Sequence, residues 1–79
     1  MRVRLRFFAA LRERVGARAE RILPADATVG GLWRALVAER PELGTVRVRF
    51  AVNEQYVEPS HRLRDGDEVA FFPPVSGGA

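Results

Sequence analysis

Residues 2 to 8 alternate cleanly, with Val3, Leu5 and Phe7 on one side and Arg2, Arg4 and Arg6 on the other. A period of two is the mark of a strand with one wet face and one buried face. Such a strand needs a sheet to join and a second layer to cover its apolar side, all within 79 residues. A chain of this length is one domain and buries roughly 60% of the surface its unfolded form exposes.

The rest of the chain supplies those parts. Ala9 to Val15 has helical propensity and stops at Gly16, which reads as a short helical turn. Residues 18 to 23 form a second strand, closed by Pro24. Thr28 suits the N-cap of a helix over 29–40, with Leu32, Trp33, Leu36 and Val37 on one face and Pro41 ending it. Gly30 and Gly31 weaken its first turn. Alternation returns over 46–52, where Val46, Val48, Phe50 and Val52 are apolar and Arg47 and Arg49 face out. Asn53-Glu54-Gln55 then predicts a hairpin into Tyr56-Val57, and Asp65-Gly66-Asp67 a tight turn into a last strand, 68–72. Pro73-Pro74 stops that strand. This order predicts an α+β fold, a mixed sheet of about five strands packed on one main helix, the arrangement of the β-grasp or ubiquitin-like roll. The domain spans 1–74, and 75–79 read as a flexible C-terminal Gly-Gly tail.

Composition excludes several kinds of chemistry. There is no cysteine, hence no disulfide, thiolate nucleophile or thiolate metal ligand. A single histidine, His61, cannot build a zinc site alone. All thirteen basic residues are arginine, so no side-chain amine serves Schiff-base chemistry or isopeptide attachment. No apolar run approaches the ~20 residues that span a membrane, and the charged opening Met1-Arg2-Val3-Arg4 is no signal peptide. The expectation is a soluble, cytoplasmic protein without a membrane partner. Arg2, Arg4 and Arg6 on one strand and Arg47 and Arg49 on another offer a nucleic-acid face, but a net charge of +3 and scarce stacking aromatics argue for a solvated sheet surface instead. His61 and Asp65 lack a nucleophile and predict no catalytic dyad.

Strand parity places three aromatics where a core does not need them. With Val3, Leu5 and Phe7 inward, Phe8 joins Arg4 and Arg6 outside. With Val69 and Phe71 inward, Phe72 joins Glu68 and Ala70. First and last strands lie side by side in a β-grasp sheet, so Phe8 and Phe72 become exposed neighbours beside the tail's exit, the kind of surface that meets a partner. Tyr56 suits a half-wet position in the same patch.

The stretch Leu63-Arg64-Asp65-Gly66-Asp67-Glu68-Val69-Ala70-Phe71-Phe72-Pro73-Pro74-Val75-Ser76-Gly77-Gly78 resembles the sulfur-carrier proteins of the MoaD/ThiS family, in its molybdopterin synthase branch. Val3 to Glu13 and Ala51-Val52-Asn53 are similar too. The resemblance implies a chain with no active site of its own and no bound cofactor. An E1-like adenylating enzyme, using ATP and Mg, activates the carboxylate of Gly78, and a sulfur donor converts it to a thiocarboxylate. The tail, with Gly77 and Gly78 lying flush in a slot, then inserts into the large subunit of molybdopterin synthase and gives its sulfur to a pyranopterin precursor of the molybdenum cofactor. By the same resemblance, Phe8, Tyr56 and Phe72 form the hydrophobic contact with both partners, and Arg12 adds an ion pair.

Ala79 departs from that pattern by following the glycines. Its removal would expose Gly78; its retention would leave a ubiquitin-like binding module without sulfur chemistry. A carrier of the same design serving thiamine, tungsten cofactor or tRNA thiolation is the other alternative.

Overall fold

The computed structural model describes residues 1–74, so the expectations for Gly77, Gly78 and Ala79 lie outside the described residues. In chain order the elements are β1 (Arg2–Phe7), α1 (Ala10–Val15), β2 (Arg18–Ile22), α2 (Val29–Glu39), a 3-10 helix (Pro41–Thr45), β3 (Arg49–Val52), β4 (Gln55–Val57) and β5 (Glu68–Phe72). The sheet runs β2-β1-β5-β3-β4. β1 and β5 are parallel, and the other neighbouring pairs among the described residues are antiparallel. Five strands of mixed direction over one main helix make this a β-grasp fold. Among the described residues, no helix is long and apolar enough to cross a membrane.

The buried layer follows the alternation. Val3, Leu5 and Phe7 of β1 and Val69 and Phe71 of β5 are at most 3% exposed, and Leu32 and Leu36 of α2 close over them. Phe71 sits at the centre, stacked on Phe7 at 5.3 Å and 15°, tilted against Trp33 at 5.4 Å, and edge-on to Phe50 at 5.8 Å. Four aromatic rings converge where the two parallel strands meet, and their buried apolar area stabilises the fold together with the aliphatic residues around them.

Two helix features act as the residues dictate. Thr28 Oγ1 accepts a hydrogen bond from the Gly31 N–H at 3.1 Å, satisfying one free amide of the first turn. Gly30 weakens the helix in isolation but permits close packing. Its N–H donates to the Pro59 carbonyl at 2.8 Å, and a Cβ there would stand 3.0 Å from that oxygen and from the Pro59 Cβ. At the other end, Glu39 accepts two hydrogen bonds of 2.6 Å from the Arg21 guanidinium, clasping α2 to β2.

The expected strand over 46–52 is shorter than its alternation implies. The 3-10 helix occupies 41–45 and sinks Leu43 to 1% exposure, so the ladder starts only at Arg49. Val46 and Val48 are half-buried against the core without being paired in the sheet. Gln55 belongs to β4, leaving Asn53 and Glu54 as a two-residue turn with φ of 50° and 71°. Both positive values belong to the mirror-image turn that matches strand twist. Asn53 also joins that hairpin to β5. Its amide donates to Asp67 Oδ1 at 3.0 Å, and its carbonyl oxygen accepts from the Glu68 N–H at 3.0 Å. Asp67, buried at 9% exposure, accepts a further bond from the Arg64 N–H at 2.8 Å and is thereby satisfied.

Candidate functional site

The outer face of the sheet carries the site. β1 pairs with β5 so that Phe7 lies opposite Phe71, and the next residue continues the pairing: the Phe8 N–H donates to the Phe71 carbonyl at 3.1 Å. That bond locks Phe8 to the side opposite Phe7. Ala9 then turns the chain into α1 at φ 54° and ψ −131°, a strained conformation for a residue with a Cβ. The strain sits directly beside Phe8, where the direction of the ring depends on an abrupt change of course.

Phe72 is the hinge of the patch. It meets Phe8 edge-on at 6.3 Å and 85°, and Tyr56 at 5.5 Å and 59°. Phe8 is 37% exposed and Tyr56 69%. All three aromatics expected at the partner surface therefore form one continuous row. Arginines lie over its two ends, with the Arg6 guanidinium 5.1 Å from the Phe8 ring and that of Arg49 5.1 Å from Tyr56. Beside the row is an open, mostly apolar depression of about 440 Å³, lined by Arg6, Phe8, Ala9, Glu54, Glu68, Ala70, Phe72 and Pro73.

One residue of its lining, Ala70, is not among the candidate residues. Ala70 pairs with Ala51, and Ala51 with Tyr56. Ala51 is 8% exposed and does not line the depression, whereas Ala70 does. A small residue, Ala70, at the same parity as Phe72 is the signal that could have found the depression. Arg12 is exposed on α1 and does not line it. Pro73 does line it, so the chain leaves the sheet at the rim of the aromatic row.

The remaining polar groups hold the fold. The Asp65 carboxylate accepts from the Arg2 N–H at 2.7 Å, while the His61 backbone accepts from Val29 N–H at 3.0 Å and anchors the start of α2. On the outer face Arg2 pairs with Glu20 at 3.7 Å and Arg6 with Glu68 at 3.8 Å, as on a solvated surface. Among the described residues no three histidine or carboxylate groups cluster to hold a metal. What the outer face offers is an exposed aromatic row with an apolar depression beside it.

Known proteins are similar to this chain along nearly its whole length. The ThiS family matches residues 5–78. The molybdopterin synthase sulfur carrier subunit of Escherichia coli is 40% identical over 80 residues, covering 96% of this chain and 99% of that protein. Small archaeal modifier protein 3 of Haloferax volcanii is 39% identical over 92 residues, covering 99% of this chain and 100% of that one. In structure, this protein is similar to one chain of the complex of subunits 1 and 2 of molybdopterin-converting factor from Helicobacter pylori, with a TM-score of 0.68, 30% identity, and coverage of 99% of this chain and 100% of that one. A match across nearly the whole chain, supported by relatives of the same length, shows that this protein belongs to the ThiS family.

Proposed function

We propose that this chain is a cytoplasmic sulfur carrier of molybdenum cofactor synthesis. Its C-terminal glycine, Gly78 after removal of Ala79, carries the sulfur as a thiocarboxylate. A carboxylate resists attack because it is already an anion and lacks a leaving group. An E1-like partner, holding ATP and Mg, lets a Gly78 carboxylate oxygen attack the α-phosphorus, and pyrophosphate departs. Sulfide-level sulfur then displaces AMP from the acyl-adenylate, leaving a C–S bond. In the synthase, that sulfur attacks a carbon of the pyranopterin precursor and displaces an oxygen substituent from it. Water then cleaves the resulting thioester, restoring the Gly78 carboxylate and leaving the sulfur on the pterin as a thiolate.

One observation supports this reading above the others: the Phe8–Phe72–Tyr56 row lies at the point where the chain leaves β5. A partner that grips the row receives the residues after Pro74 from a fixed starting point. The domain aims and the partner catalyses. The two prolines restrict the base of the tail and reduce the entropy lost on insertion. The Helicobacter pylori complex supports a large subunit as one such partner.

The similarity to an archaeal modifier protein favours a second reading, in which the same activated tail is passed to an amine. Intact-mass spectrometry after coexpression with an E1-like enzyme separates the two. The carrier reading expects loss of Ala79 and the mass shift of oxygen to sulfur. Conjugates linked by an amide would establish the second reading, and an unchanged full-length mass would sink both.

A further inference from the structure

We infer that the free edge of β2 is a self-complementary interface through which two copies of this chain pair their sheets. This surface is separate from the aromatic row, and the inference stands apart from the carrier reading.

The phase of the β1–β2 ladder fixes which backbone groups are free. The Phe7 N–H donates to the Ala17 carbonyl, and Met1 and Leu23 exchange bonds at the other end. Ala17, Ala19, Arg21 and Leu23 therefore turn their backbone toward β1, while Arg18, Glu20 and Ile22 turn theirs outward. Among the described residues, no strand lies beyond β2 in the sheet. The opposite edge, β4, is only three residues long and runs toward Pro59. β2 has five residues and no proline or bulge. Its inward-facing charge, Arg21, is compensated by Glu39 and does not guard the edge as an unpaired inward charge would.

Side chains select the partner. In a two-fold antiparallel pair, outward-turned residues must face each other. Placing Glu20 opposite Glu20 repels, whereas placing Arg18 opposite Glu20 creates two oppositely charged pairs at once. In that register four backbone hydrogen bonds form, Ala19 meets Ala19 on the axis, and Ile22 faces Gly16. Ile22 is 69% exposed in the single chain, and a Cβ built on Gly16 meets nothing within 4 Å, so there is room for it. Arg18 also gains what it lacks: its neighbour on β1 is Arg6, and among the described residues it forms no ion pair. The pairing makes one ten-stranded sheet from two copies of the five-stranded one. An edge of this length buries less than a standard interface of roughly 1,600 Å², which predicts a weak, reversible dimer.

Sedimentation over a concentration series, read with amide chemical shifts, tests it. Association is expected, with shifts centred on Arg18, Glu20 and Ile22. Arg18→Glu relieves repulsion from Arg6, so it keeps or raises thermal stability while weakening the dimer roughly tenfold. Arg18→Glu combined with Glu20→Arg restores opposite charges across the axis and is expected to recover the dimer. A monomer at every concentration, shifts centred on Phe8 and Phe72, or a double variant as weak as the single one would each overturn the inference.

Discussion

Two phenylalanine pairs sit one residue apart and do opposite work. Phe7 and Phe71 stack at 5.3 Å inside the domain; Phe8 and Phe72 meet edge-on at 6.3 Å outside it. Residue type and neighbours in sequence are shared, and Phe8 continues the pairing of β1 with β5 one residue past the end of β1. Only parity differs, because successive side chains of a strand leave on opposite faces. The inner pair is surrounded by Trp33 and Phe50 and holds the fold; the outer pair borders an open depression and is available to a partner. The Phe8-to-Phe71 backbone bond keeps the two pairs from exchanging roles.

The comparison breaks most directly at the inner pair. Phe71→Ala empties the centre of the core and is expected to lower unfolding free energy by about 3–5 kcal/mol in urea titrations. A loss below about 1 kcal/mol would mean that the inner ring is not the keystone. At the outer pair the effects should divide. Phe8→Ala is expected to cost no more than about 1.5 kcal/mol of stability, while weakening large-subunit binding by about 2 kcal/mol in calorimetry. Equal losses in both measurements would erase the distinction between the faces.

Smaller changes probe the helix that covers the inner pair. Thr28→Ala removes the N-cap bond and should cost about 1 kcal/mol, leaving partner affinity unchanged. The smallest effect belongs to the Arg21–Glu39 clasp. The hydrogen bond from Arg21 holds the Glu39 carboxyl below its ordinary range. Its contribution is therefore present above the unfolded carboxylate pKa and disappears as pH falls through the lowered folded value. Thermal melts of Glu39→Gln should lack that part of the acid-side decline, and a pH profile identical to the parent would show that the clasp adds no stability.

Parity made much of this legible in the sequence. Val3, Leu5 and Phe7, then Val69 and Phe71, announce the inner face, and the same count puts Phe8 and Phe72 outside. Thr28 and the Asp65-Gly66 turn are equally readable, since one side-chain oxygen or one glycine φ of 86° decides each. What escaped depends on distant partners. Nothing local to Val46 and Val48 says that Leu43 will draw residues 41–45 into a 3-10 turn and delay β3. Gly30 looks like a weak helix former until Pro59 is beside it. Asp67 reads as a turn residue, and its burial depends on the side chain of Asn53 on another hairpin. The place of Ala70 in the depression beside Phe8 is legible only after strands are set side by side.

The parallel pairing of β1 with β5 also governs when this domain can exist. During synthesis the first strand emerges early, but the strand that stacks on its phenylalanine and completes the aromatic row is residues 68–72. Contacts across that span carry a high entropy of closure and form late. A nascent chain short of residues 68–72 lacks both the ring that stacks on Phe7 and the ring that joins Phe8 to Tyr56. The surface proposed to meet a partner is therefore among the last parts of the domain that synthesis can complete.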